Sequence, residues 1–174
     1  MRILITGGTG FLGRHLVWRA AAEGAQVVFT GRQANAAAQV RALAAAPVDW
    51  LALDHGTAGA GARLAEAARG AQVLVHAAAL SSPWGAARDF ERANVQATRE
   101  VLAACERAGV HRLVHVSTPS LYFGFRDAEG LREDAPLPRP VNDYARTKRE
   151  AEALVAASAV PERVVLRPRA LFGP

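Results

Sequence analysis

The sequence predicts an α/β fold built on a doubly wound parallel sheet. Short β-rich runs alternate with longer helical patterns along the whole chain, the order that builds right-handed βαβ units. The strand candidates are near-continuous apolar runs ("QVVFT", "QVLVH", "RVVLR"), as expected where helices cover both faces of a sheet. Several helical patterns stop at a glycine (Gly24, Gly70, Gly109), a common C-terminal signal.

Arg2–Thr6 opens the chain as a strand, with Ile3, Leu4 and Ile5 in a row, and four clustered glycines end it. Leu12, Leu16 and Val17 then mark a helix over Phe11–Glu23. A second strand, Gln26–Thr30, precedes an alanine-rich helix at Ala34–Ala46, and a third, Val48–Leu53, precedes a helix at Ala60–Arg69. Gln72–His76 is the fourth strand, Ala86–Ala108 a long helix and Arg112–Ser117 the fifth strand. Phe123–Val141, with Gly124, Gly130, Pro136, Pro138 and Pro140, reads as irregular. It follows a strand's carboxyl end, where α/β proteins place binding loops. Asp143–Ser158 is the last helix and Arg163–Arg167 the last strand. No repeat or linker divides the chain, so residues 1–174 are expected to form one domain.

At 51% hydrophobic and 21% charged, the 174 residues have the balance of a globular chain. A lone cysteine, Cys105, excludes an internal disulfide framework and points to a reducing compartment; it reads as a small buried hydrophobe. No apolar run approaches the roughly 18 residues of a membrane span, and "MRILITGG" lacks a signal-peptide core. A cytoplasmic location without membrane contact is therefore expected. The formal charge of +5 does not indicate nucleic acid, because its arginines alternate with acids on helix faces ("RTKREAEALV"). Expected partners are a small-molecule substrate and, at most, a second copy of the chain as a homodimer.

The glycine cluster "TGGTGFLG" carries the first chemistry. Gly8, Gly10 and Gly13 fit G-x-G-x-x-G, and Gly7, Gly10 and Gly13 fit G-x-x-G-x-x-G. One glycine permits the tight turn, one admits a pyrophosphate against bare backbone, and the last lets helix pack on strand. The motif lies between a strand and a helix at the first βα turn, the context that gives it meaning, with the phosphates on the helix N-terminus. This makes the fold a Rossmann-type dinucleotide-binding one, with expected strand order 3-2-1-4-5-6. After the second strand, NAD-binding versions carry an acid for the ribose hydroxyls; this chain has Gly31-Arg32. An arginine there suits a 2′-phosphate, so NADP is the preferred cofactor and NAD the alternative.

Tyr144 and Lys148, in "YARTK", share one helix face at i,i+4 spacing. An ammonium near a phenol favours its ionised form, which makes such a pair able to move a proton near neutrality. A hydroxyl from a neighbouring strand end would complete the set, and "VSTPS" offers Ser117, Thr118 and Ser120. No histidine pair has metal-ligand spacing: His111 and His115 are i,i+4 around a strand, where side chains do not converge. His76 reads as a hydrogen-bonded core residue, and Trp84 as either cleft wall or packing.

With these motifs in order, the chain resembles the extended short-chain dehydrogenases/reductases, also known as the NAD-dependent epimerase/dehydratase family. The resemblance spans essentially all 174 residues. It implies that Gly7, Thr9, Gly10, Phe11, Leu12 and Gly13 form the cofactor loop. It places Asp54 of "LALDHGT" at the adenine, and Ala77, Ala78 and Ala79 of "VLVHAAA" beside the cofactor. It makes Asn94 the family's structural asparagine at the cofactor site, and Thr118, Tyr144 and Lys148 the catalytic triad, with Ser117 the second choice of hydroxyl. Tyr144 and Lys148 also touch the cofactor in this reading. The segment "RPRALFGP" has Arg169-Ala170-Leu171 where sugar-nucleotide epimerases commonly carry an asparagine. That is more similar to the branch acting on hydroxysteroids, β-keto acids and dihydroflavonols. The implied activity is hydride transfer between NADP(H) and a carbonyl or secondary alcohol. The alternatives are a nucleotide-sugar epimerase/dehydratase with retained cofactor and a non-catalytic NADP sensor. The C-terminal substrate domain usual in the family is expected to be absent from this chain.

Overall fold

The computed structural model describes residues 1–125, 127 and 129–173. Arg126 and Ala128, within the expected irregular stretch, and Pro174, the last residue of the expected domain, lie outside the described residues.

Six strands form one sheet: β1 (Arg2–Thr6), β2 (Gln26–Gly31), β3 (Asp49–Ala52), β4 (Val73–His76), β5 (Arg112–Val116) and β6 (Glu162–Leu166). Their order is β3-β2-β1-β4-β5-β6 and every pair is parallel, as the sequence predicts. The order reverses between β1 and β4, so a crevice opens beyond their carboxyl ends, where ligands of open α/β sheets bind.

The helices are α1 (Phe11–Ala22), α2 (Ala34–Ala42), α3 (Ala60–Ala67), α4 (Ala87–Phe90), α5 (Ala97–Ala108) and α6 (Asp143–Ala157). Side-chain alternation along the strands divides the core in two. Leu4, Val28, Leu74 and Leu113 join Leu64 of α3, Val101 and Cys105 of α5 and Val155 of α6 on one face. Ile5, Val27 and Phe29 join Val17 and Ala21 of α1 and Ala37 and Val40 of α2 on the other. Phe29 is fully buried, worth roughly 1.5–3 kcal/mol, and its ring fills the space that Gly8 leaves by lacking a Cβ. Burial pushes the Cys105 thiol up to about 12, so it acts as a small hydrophobe.

Several boundaries differ from the sequence reading. The helix expected to reach Ala46 stops at Ala42. The third strand is shorter than Val48–Leu53 at both ends, and β6 runs one residue earlier than expected. The helix expected over Ala86–Ala108 is broken by a π-helical turn at Glu91–Gln96. An unexpected 3₁₀ turn spans Pro119–Tyr122, capped by the Thr118 side chain. On β6, Val164 and Leu166 remain 39% and 47% exposed. Among the described residues no helix is long and apolar enough to cross a membrane.

Candidate active site

The glycines divide their labour as the motif requires. Gly7 turns the chain with φ of +69° and lies against Ala78, where a Cβ would come within 2.8 Å of backbone. At Gly13 a Cβ would sit 2.1 Å from the Gly7 carbonyl oxygen, so only glycine lets α1 approach β1 this closely. Gly10 differs: a Cβ there would meet only the Gly7 carbonyl, at 3.2 Å, leaving a cradle shaped by backbone. The Gly10 side of the loop also has no side-chain cap on α1 and no acid in its first turn. The first N–H groups of the helix, on Phe11, Leu12 and Gly13, therefore meet an anion-favouring end.

A cleft of about 410 Å³ runs from this loop across the strand-order reversal, lined by Gly7, Thr9, Gly10, Arg32, Asp54, Ala77, Ala78 and Ala79. All eight are among the residues expected to contact a cofactor; Phe11, Leu12 and Gly13 stand just behind, in the first turn of α1. Leu53, His55, Gly56, Leu80, Asp89 and Arg92 also line it, and the sequence reading omitted them. Arg32 is exposed at the end of β2, next to Gly31, whose missing side chain leaves room for Thr9. The Asp54 carboxylate accepts from the Gly56 N–H at 3.0 Å and from Arg92 Nη2 at 2.9 Å. A separation of 38 residues hid that second bond from a reading by local motif.

Asn94 lines neither this cleft nor the larger cavity described below. Its Oδ1 accepts from the Leu80 N–H at 2.8 Å, and its Nδ2 donates to the Leu80 carbonyl and to Thr147 Oγ1. The buried amide thus ties the π turn to the loop after β4 and to α6, as a structural asparagine. A neighbouring chain of bonds runs from the Ala78 N–H to Thr6 Oγ1, to His76 Nδ1, and from His76 Nε2 to Thr98 Oγ1, which donates to the Asn94 carbonyl. His76 is the hydrogen-bonded core histidine that the sequence suggests. Burial holds its pKa well below the usual histidine value, with His115 and Lys148 adding to the effect.

Lys148, on α6, is the only lysine in the sequence, beside twenty arginines. It is 2% exposed. Its ammonium donates to the Val116 carbonyl at 2.8 Å and lies 3.3 Å from His115 Nε2, at the carboxyl end of β5. Burial lowers its pKa from 10.5 to about 8. Tyr144 lies one turn earlier on α6, half-buried. Thr118 is buried, its Oγ1 accepting from the Ser120 N–H at 3.1 Å and donating to Ser120 Oγ at 3.0 Å. Ser117 Oγ, by contrast, is buried without a hydrogen-bond partner among the described residues. A lost partner for such a group costs about 1–3 kcal/mol.

A larger, open cavity of about 1350 Å³ lies beside the 3₁₀ turn, lined by Ser120, Tyr122, Phe123, Phe125, Asn142 and Arg169 among others. Thr118 adjoins Pro119 of this lining and Tyr144 lies two residues past Asn142, and neither is part of it. Its wall is anchored by Arg167, which pairs with Glu152 at 2.9 and 2.5 Å and donates to Tyr122 Oη and the Glu133 carbonyl. Trp84 lines neither cavity and stands exposed. No cluster of histidine, cysteine and acidic residues suited to a metal occurs among the described residues.

A backbone cradle at the strand-order reversal, an adjoining cleft and a tyrosine–lysine helix beside β5 define a dinucleotide-binding domain of the extended short-chain dehydrogenase/reductase type. The chain belongs to the NAD dependent epimerase/dehydratase family, whose model matches residues 3–174. A 4-hydroxy-2-methyl-3-oxo-4-farnesyl-3,4-dihydroquinoline-1-oxide ketoreductase from Stigmatella aurantiaca is 41% identical over 176 residues, covering 99% of this chain and 51% of that protein. A 2-alkyl-3-oxoalkanoate reductase from Stenotrophomonas maltophilia is 36% identical over 185 residues, covering 100% of this chain and 52% of that protein. The solved structure of MoeE5 in complex with UDP-glucose and NAD is 31% identical with a TM-score of 0.76, covering 95% of this chain and 52% of that one. The chain spans about half the length of the curated relatives it matches.

Proposed function

We propose that this chain is the cofactor-binding part of an NADP-preferring oxidoreductase that interconverts a carbonyl and a secondary alcohol. The observation that carries the reading is Lys148, a buried lysine in a chain that uses arginine at every other basic position. An ammonium yields to its surroundings when buried, whereas a guanidinium stays charged and needs room for its fork. The residues present fit a dinucleotide, because Gly10 leaves a cradle that any Cβ would enter and the cleft continues from it to Arg32 and Asp54.

In this reading the glycine loop and the first turn of α1 hold the pyrophosphate, and Asp54 meets the adenine. Arg32 stands where a 2′-phosphate would lie, and Ala77, Ala78 and Ala79 give the nicotinamide half a flat wall. A bound nicotinamide supplies a two-electron donor or acceptor. Lys148 holds the ribose with the one N–H left over from Val116 and His115. The Tyr144 hydroxyl gives its proton to the substrate oxygen in reduction or takes it in oxidation, and the Lys148 charge favours the negative oxygen that remains. Thr118 orients the substrate oxygen, which requires its hydroxyl to exchange the Ser120 partner for the substrate.

The family resemblance to NAD-bound sugar-nucleotide proteins such as MoeE5 supports a second reading, an epimerase or dehydratase that retains its cofactor. One experiment separates them. In the whole protein, Tyr144→Phe should keep cofactor affinity and lower turnover by about 10²–10⁴-fold. The wild type should consume one NADPH for each carbonyl reduced. Sugar-nucleotide turnover without net cofactor consumption would favour the second reading, and full activity in Tyr144→Phe would remove both.

A further inference from the structure

We propose that His115 is a positioning residue for Lys148: the lone pair on its Nε2, with the Val116 carbonyl, fixes the ammonium at the carboxyl end of β5. The inference rests on the assignment of Lys148 to the cofactor site above. An ammonium carries only donors, so the His115 nitrogen 3.3 Å away must accept and the ring proton must sit on Nδ1. That Nδ1 is buried with no partner among the described residues. A phenyl ring would fill the same buried place without an unpaired ring N–H, at the cost of the acceptor for the ammonium. Among the described residues the ring's one hydrogen-bond contact is Lys148, which makes the ammonium the reason for the ring's chemistry.

Surrounding charges do not offer Lys148 an alternative anchor. Glu152, one turn later on α6, contributes attraction from a distance, but its carboxylate is engaged by Arg167 in two bonds. From β4, His76 lies with its ring centre 5.2 Å from that of His115, and both its nitrogens are committed to Thr6 and Thr98. His55, beyond it, pairs with Thr30. Tyr144 stands one turn earlier on the same helix. Burial keeps the His115 ring neutral, its pKa lowered to about 3 with Lys148 adding to the effect, so its lone pair is available throughout the working pH range. Two fixed acceptors leave one N–H of the ammonium with a defined direction.

The single lysine makes the test direct. With the 174-residue chain isotope-labelled at the lysine Cε, nuclear magnetic resonance reads Lys148 alone as pH is varied. His115→Phe should move its titration down by about one pH unit and weaken NADPH binding. His115→Gln, which keeps an acceptor near the Nε2 position, should restore both. His115→Asn is too short to reach and should behave like His115→Phe. If His115→Phe does not fold, the glutamine and asparagine variants still carry the comparison. An unchanged Lys148 titration in His115→Asn, or in a folded His115→Phe, overturns the proposal. A wild-type Lys148 signal that ignores added NADPH would instead overturn the cofactor site on which the proposal rests.

Discussion

Mild acid should unfold this domain through its buried histidines. His55, His76 and His115 are all buried. Burial lowers His55 to about 4, helped by Arg32, and His115 to about 3, while His76 falls well below the ordinary 6.5. In the unfolded chain each returns to that ordinary value, so below it the unfolded state binds up to three more protons than the native one. Stability therefore falls as pH falls from 6.5 toward the folded values. Once all three histidines differ in protonation, the slope reaches about 4 kcal/mol per pH unit. A domain of ordinary stability, about 5–15 kcal/mol, would lose its native state about one to four units below 6.5. Urea titrations followed by tryptophan fluorescence at a series of pH values measure the slope. A slope no larger than about 1.4 kcal/mol per unit, the value for one proton, would refute the reasoning.

Lys148 works in the same sense at higher pH. Its folded pKa of about 8 lies below the ordinary 10.5, so the charged form is penalised in the fold by about 3 kcal/mol at neutral pH. Stability should rise between those two values, and Lys148→Met should be the more stable protein at pH 7, by about 2 kcal/mol after loss of the Val116 bond; comparison of denaturation midpoints of the two proteins at neutral and alkaline pH checks both. Gly10→Val should stay folded by circular dichroism yet lose dinucleotide binding, whereas Gly13→Ala, whose Cβ would lie 2.1 Å from the Gly7 oxygen, should lose stability first. Arg32→Ala should remove most of a preference for NADPH over NADH of roughly ten- to a hundredfold, the worth of a charge-assisted contact; equal affinities in the wild type, read by titration, would defeat the assignment.

The fold was legible because its signals are local. Each strand announces itself by an apolar run, and the connections follow from the right-handed rule. The glycine loop was legible for the same reason: Gly7, Gly10 and Gly13 stand within seven residues, between a strand and a helix. What escaped was set by contacts between distant segments. Nothing in "DFERANVQAT" breaks helical propensity, and the π turn shows itself only where Asn94 reaches Leu80 and Thr147. Arg92 shares a face with the cleft only after β3 and the π turn are brought together. His115 shows no metal-ligand spacing in the sequence, and its contact with Lys148 is invisible there, since a strand pattern says which face a residue takes and not which helix side chain meets it.

The π turn has a consequence for the whole helical arm from Ala87 to Ala108. An α-helix advances about 100° per residue, and a π turn takes in one residue more than an α turn. The two flanking stretches are therefore wound out of step, and Phe90 on one side and Val101 and Cys105 on the other are all buried in places set with the surplus residue present. Deleting one residue between Glu91 and Gln96 would restore continuous winding and rotate one stretch by about 100° against the other. Either Phe90 would swing outward or the stripe on α5 would. This part of the chain can vary in composition more freely than in length, because its residue count acts as a phase setting for everything that follows.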